Sequence, residues 1–286
     1  MKKPLSILFL LAAYLVQAQM PNTDLWLFKI GTNKQKQPAL TNPLNITKRD
    51  GYDNQPSFSS DGKRIYYVSV RENQQADIYY YDIKGKKNIQ LSKTKESEYS
   101  PVITPDEKHI SSVVVESDSA QRIHFINPLT GADESKFDFD SVGYYAFLNT
   151  DTVIYYKLTA PHSLRYFVKK TGEDKWLGNS PARTFRAIDR HTLLYGLKDS
   201  AKVTFYKYDF ILRKAIKYCE YPSAGEDVAW HAVYGLVKSE AAKLLRYNEA
   251  KKEWALLFDL SVFGVKKITR FNFDPKNKYL VVTDNL

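Results

Sequence analysis

The chain contains a single cysteine, Cys219, among its 286 residues. An intramolecular disulfide is therefore excluded, and stability has to come from packing. Paired-cysteine metal motifs and His-Glu-x-x-His are absent, which removes the zinc sites recognisable from spacing alone. No Gly-x-Ser-x-Gly elbow occurs; Gly178-Asn179-Ser180-Pro181-Ala182 comes nearest and lacks the last glycine. The five histidines, His109, His124, His162, His191 and His231, stand at no ligand spacing. No apolar run reaches the ~20 residues of a membrane-spanning helix. No block of about five or six like charges occurs either. No catalytic residue, metal or cofactor is expected from these absences.

Lys2 and Lys3 precede the apolar run Leu5–Val16, and Val16-Gln17-Ala18 carries the small-residue pattern of a signal-peptidase site. Residues 1–18 are expected to be a cleaved secretory signal. No cysteine follows the run, so a lipid-modified N-terminus of the bacterial lipoprotein type is not expected. The mature chain, residues 19–286, is then a single monomeric domain without a transmembrane segment, exported to the periplasm or beyond. Loss of Lys2 and Lys3 lowers the formal charge from +10 to +8. An exported basic protein is expected to meet anionic glycans, lipid headgroups or acidic proteins rather than nucleic acid. Many lysines, however, sit in turns such as Lys84-Gly85-Lys86-Lys87, where they solvate hairpins. Cys219 lies in the alternating run Ile216–Tyr221 and reads as an inert structural thiol.

The informative content is a repeat. Residues 55–82, QPSFSSDGKRIYYVSVRENQQADIYYYD, align without a gap on residues 100–127, SPVITPDEKHISSVVVESDSAQRIHFIN. Pro56 maps to Pro101, Phe58 to Ile103, Asp61 to Asp106, Ile65 to Ile110 and Ile78 to Ile123. A third copy, Phe273–Val282, restates Phe58–Tyr67. A period in the forties, made of short aromatic and β-branched runs, is the pattern of a β-propeller. Twenty-one tyrosines and fifteen phenylalanines suit sheets stacked face to face.

Each repeat parses as four strands. In the clearest, Pro56–Ser59 is the inner strand and Ser60–Lys63 a tight turn. Arg64–Val70, Asp77–Ile83 and Asn88–Ser92 follow as second, third and outer strands. Phe58 and Phe273 are 215 residues apart, five steps of about 43, which gives six inner strands. The intervening ones fall at Val102-Ile103, Tyr145–Phe147, Arg186–Ile188 and Val228–Trp230. The chain ends after the second strand of the sixth repeat. Asp24–Ile30 reads like the third strand Asp77–Ile83, and an outer strand is expected within Gln37–Thr47. The expected fold is all-β: a six-bladed propeller of four-stranded antiparallel blades, its C-terminal blade completed by N-terminal strands that leave no open edge.

The run Tyr52–Ile65, with Asp77-Ile78-Tyr79, resembles the repeat of the TolB-type propeller family. That repeat pairs a Tyr-Asp before the inner strand with an aromatic-Ser-Pro-Asp-Gly-Lys turn and an Asp-Ile-Tyr third strand. Ser60 stands where the family has proline, whereas Pro105 and Pro275 keep it. The resemblance covers the propeller only; there is no room for the N-terminal α/β domain of TolB. It implies a non-enzymatic envelope scaffold with protein partners, such as a peptidoglycan-associated or outer-membrane protein.

Fold logic places a binding site at the channel mouth. Counting three residues back from each inner-strand hydrophobe gives Gln55, Ser100, Tyr144, Phe185, Asp227 and Arg270, with Tyr52, Asp53, Glu98 and Tyr99 just outside. This chemically mixed rim suits a peptide segment or a partner protein. The competing expectation is a carbohydrate-binding or metal-dependent, lyase-type propeller, for which His231, next to Trp230, is the best-placed histidine. The repeated carboxylates Asp61 and Asp106 read as turn-formers rather than as an acid–base pair.

Overall fold

The computed structural model describes residues 20–222 and 227–286, so the expected signal peptide, 1–18, lies outside the described residues. The described residues form 24 strands in six four-stranded antiparallel blades. The first five blades run outward from the channel in chain order, whereas the sixth takes its two inner strands from the C-terminal end and its two outer strands from the N-terminal end. The inner strands are Tyr52–Phe58, Ser97–Ile103, Val142–Phe147, Pro181–Ala187, Val228–His231 and Ile268–Phe273.

The second strand of blade 1, Arg64–Val70, shows why these sequences make blades. Ile65 and Tyr67 pack with Leu25, Leu27 and Val281 of blade 6, while Tyr66 and Val68 pack with Ile110 and Ile126 of blade 2. Side chains on a strand alternate between faces, and here both faces are covered by neighbouring blades. Burying each such side chain is worth roughly 1.5–3 kcal/mol. The outer strands Lys87–Gln90 and Asp133–Lys136 are almost wholly exposed and polar, which protects their free edges.

Turn chemistry repeats with the blades. Ser59 Oγ donates to Asp61 Oδ1 at 2.7 Å, and Thr104 Oγ1 to Asp106 Oδ1 at 2.6 Å. The residue after Asp61 and Asp106, and its equivalent after Lys276, adopts a left-handed conformation: Gly62 (φ 68°), Glu107 (φ 61°) and Asn277 (φ 57°). Asp61 is held down at about 2, chiefly by the Ser59 hydroxyl. These carboxylates build turns, in agreement with the sequence reading.

The ring closes as the sequence implies. Thr23–Thr32 pairs antiparallel with Tyr279–Asn285, from Thr23 opposite Asn285 to Lys29 opposite Tyr279, and Pro38–Asn45 adds the outer strand. A parallel contact between Thr23 and Tyr52 then joins this blade to blade 1. The sequence-derived bounds shift in blade 1. Its inner strand starts at Tyr52 rather than Pro56, its third strand is Ala76–Asp82, and its outer strand is Lys87–Gln90. The first shift has a clear cause. A bulge between Asn54 and Ser57, with Gln55 left-handed at φ 56°, lets the strand continue upstream of Pro56.

Blade-to-blade packing is tight enough to be tested at one turn. Gly131 and Gly172 occupy the same turn, between third and fourth strands, in blades 2 and 3, with φ of 73° and 70°. A Cβ on Gly131 would collide with the Leu91 carbonyl oxygen of blade 1, whereas one on Gly172 would meet nothing within 4 Å. Gly172→Ala is expected to cost only the left-handed conformational term, about 1–2 kcal/mol. Gly131→Ala should cost about 1–3 kcal/mol more because of the clash. Urea denaturation of the two variants checks this, and equal losses would mean that the blades can part at Leu91.

Candidate functional site

Inner strands of five of the six blades contribute side chains to the channel cavities. At the mouth, Tyr52, Gln55, Tyr144, Arg183 and Arg270 border a cavity of about 360 Å³. Below it lies a cavity of about 210 Å³ that shares Gln55, Tyr144, Arg183 and Arg270 and adds Ser57, Ser100, Thr184, Arg186 and Asn272. The two cavities form a funnel along the channel.

The walls are tied together by hydrogen bonds that step one blade at a time. Ser100 N donates to Gln55 Oε1 at 2.6 Å, and the Tyr145 hydroxyl lies 2.9 Å from the Ser100 carbonyl. Arg270 Nη1 donates to Asp227 Oδ1 at 3.2 Å, and Phe271 N donates to Asp227 Oδ2 at 2.9 Å. Arg183 reaches two blades on, its Nη2 donating to the Thr269 carbonyl at 3.0 Å. The Arg270 guanidinium carbon sits 5.4 Å from the Tyr144 ring centroid, a cation–π distance. Burial raises the Tyr52 hydroxyl to about 12, against the field of Arg270, so it is a neutral donor at physiological pH.

Of the residues anticipated from sequence, Tyr52, Gln55, Tyr144 and Arg270 meet at the mouth, and Asp227 stands behind Arg270, almost fully buried. Phe185 does not reach the channel. It is 2 % exposed and packs with Ile154, Leu164 and Leu193 in the core between blades 3 and 4. The register explains the error. Ala187 opposite Leu193 is the pair equivalent to Phe58 opposite Ile65, so the count back from Ile188 was one residue out. A one-residue slip moves a side chain to the other face of the strand. Counting from Ala187 gives Thr184, which does line the cavity. The same slip hid Arg183 and Arg186, although Arg183-Thr184-Phe185-Arg186 places two arginines around a recognised inner strand.

Asp53 and Glu98 are also internal. Asp53 accepts from Ser69 Oγ at 2.6 Å, and its other oxygen is 3.6 Å from Arg49 Nε, an ion-pair distance too long for a hydrogen bond. Glu98 accepts from Ser92 Oγ at 2.7 Å and from the Thr94 hydroxyl. Tyr99 packs into the clusters on both sides of blade 2. All three serve the packing of their blades rather than the channel rim.

His231 lies toward the turn end of its strand, away from the mouth. Its ring stacks on Tyr234 at 4.2 Å and meets Phe273 at 4.6 Å, while Nδ1 accepts from the amides of Val233 and Tyr234. Burial lowers its pKa and keeps it neutral. Among the described residues no three His, Cys, Asp or Glu side chains form a metal-holding group. Cys219 is buried and its thiol is pushed up to about 12 by burial, which leaves it unreactive.

No protein-family model matches the sequence, and no curated protein matches it at sequence level. Solved structures do match it in fold. A protein of Agrobacterium tumefaciens assigned as a TolB superposes over 93 % of this chain and 99 % of its own, with a TM-score of 0.62 and 9 % identity. TolB of Acinetobacter baumannii matches 70 % of this chain with a TM-score of 0.53 and 15 % identity; the match spans about half of that protein, 52 %. Oligogalacturonate lyase of Vibrio parahaemolyticus matches 92 % of this chain and 98 % of its own, with a TM-score of 0.52 and 13 % identity. The chain has the TolB-like six-bladed propeller fold, which it shares with proteins described as TolB and with one described as a lyase, so the fold does not fix the function.

Glu98 generates a pH prediction. Burial raises its carboxyl from 4.5 to about 7, against the pull of the Thr94 and Ser92 hydroxyls. The native state then holds a proton that the unfolded chain releases near 4.5. This contribution to stability is complete below the unfolded pKa and is lost as pH rises through 7. Wild-type stability is expected to fall between about pH 4.5 and 7, by at most about 3 kcal/mol from this group, and Glu98→Gln should flatten that slope. Urea midpoints across the range check it; an unchanged slope in the variant would assign the titration elsewhere.

Proposed function

We propose that this protein is a binding propeller of the cell envelope that receives an extended segment of a partner protein at its channel mouth and performs no chemistry on it. The observation that carries this reading is the funnel: side chains from several blades converge on two joined cavities, with tyrosines at the mouth and hydrogen-bond donors below. Among the described residues lining these cavities there is no histidine, cysteine, aspartate or glutamate, the groups that general acid–base or nucleophilic catalysis draws on most. The mouth instead offers tyrosine faces, a glutamine and guanidinium groups, which are typical recognition chemistry. The signal-like N-terminus supports an envelope location, and the TolB-like fold supports a protein partner. An acidic glycan is the competing ligand, since it would meet the same tyrosines and arginines.

A photo-crosslinking residue placed at Tyr52 in the tagged mature chain tests the reading in cells. A stoichiometric protein adduct mapped to the mouth is expected. Tyr144→Ala should weaken its formation at least about tenfold, equivalent to ~1.4 kcal/mol. Thermal stability should change little, because Tyr144 lies at the margin of its core cluster. Recovery of the chain alone would overturn the protein-partner reading. Asp227 is unsuited as a probe. Its removal strands the buried Arg270 charge and destabilises the ring whatever the ligand.

A further inference from the structure

One charge in the lower cavity is poorly matched by the fold itself. Arg186, on the inner strand of blade 4, makes a hydrogen bond from Nη1 to the neighbouring Phe185 carbonyl at 3.0 Å, and no carboxylate of the described residues lies within ion-pair reach of it. Burial disfavours its charge; Asp227 favours it, and Arg270 works against it. Asp227, however, is already engaged by Arg270 at 3.2 Å and by the Phe271 amide. Arg183 and Arg270 border the same cavity, so three guanidinium groups surround about 210 Å³, and among the described residues no acid lines it. A half-buried cation that must share its acid is a local conflict, and such conflicts concentrate where a ligand completes the site.

We propose that this lower cavity receives a carboxylate carried by the inserted peptide segment, an aspartate or glutamate side chain or a chain terminus, with Arg186 as its principal partner. The inference rests on the peptide-binding reading above and specifies the chemistry of that peptide. A planar guanidinium presents paired donors that match a carboxylate, so the incoming group supplies an ion-pair partner that the described residues do not. The size of the cavity favours this occupant. About 210 Å³ is below the ~300 Å³ at which small-molecule pockets begin, and suits the end of a longer ligand that enters through the mouth. Tyr144 and Tyr52 at the mouth would then hold the residues that follow.

The test uses the mature chain and three probes measured by calorimetry: hexaglutamate, C-terminally amidated hexaglutamine and tetragalacturonate. Hexaglutamate is expected to bind at least about tenfold more tightly than hexaglutamine, and Arg186→Gln should remove that preference. Arg186→Lys, which keeps the charge and loses the paired donors, should retain only part of it. Melting curves separate a binding role from a structural one. Without ligand Arg186→Gln should melt no lower than wild type, and hexaglutamate should raise the wild-type midpoint but not that of the variant. Equal binding of the two peptides, undiminished hexaglutamate binding by Arg186→Gln, or no binding of any probe at about 5 mM would overturn the proposal. Tetragalacturonate binding tenfold more tightly than hexaglutamate would overturn the peptide assignment in favour of an acidic glycan. A mouth crosslink to a protein, together with no preference for hexaglutamate, would sink this inference and leave the peptide-binding reading standing.

Discussion

The structure depends on one set of hydrogen bonds, those between Thr23–Thr32 near the start of the chain and Tyr279–Asn285 at its end. A row of blades has two free faces and two sets of unsatisfied apolar contacts; closing the row into a ring removes both. This pairing places Leu25, Leu27 and Val281 beside Ile65 and Tyr67, and it brings Phe28 against Leu280 and Val282. The channel exists because that junction fixes the number of blades and the angle between them. Residues from blades 1, 3, 4 and 6 can meet at one mouth only in a closed ring.

Closure also divides polar residues between two roles. Those near the starts of the inner strands but turned into a blade are enclosed by the next blade and have to be satisfied internally. Asp53 and Glu98, at equivalent positions 45 residues apart, do this with hydroxyl donors from their own surroundings. Burial still raises both carboxyls, which shows that the hydrogen bonds offset only part of the desolvation. Residues turned to the channel bond to the wall itself. Gln55 and Ser100 join neighbouring blades across the wall, and Arg183 and Arg270 bind wall carbonyls and Asp227 while bordering the cavities.

The basic character of the funnel could not be inferred from net charge. Many lysines lie in surface turns, and the rim expected from sequence balanced one acid against one base. In the folded chain the acid is withdrawn behind Arg270, and Arg183 and Arg186 join the wall. The electrostatics of the channel therefore follow from which charges the blades bury together.

What the sequence determined by itself is the architecture. Repeats of about 45 residues, alternation such as Arg64–Val70, and the Asp-containing turns with a left-handed residue after them are local signals, set by side-chain periodicity and backbone sterics. Even the closing strands were legible, because Asp24–Ile30 has the pattern of the third strand it replaces. Tertiary structure alone decided the site. Bulges within the inner strands shift the register without a sequence mark, most in blade 4, where the pairing jumps between Pro181 and Phe185. With a side-chain period of two, that ambiguity was enough to exchange Phe185 for Thr184 and to conceal Arg186. The burial of Glu98 and the stacking of His231 on Tyr234 were equally unreadable, because water is excluded there by segments distant in sequence.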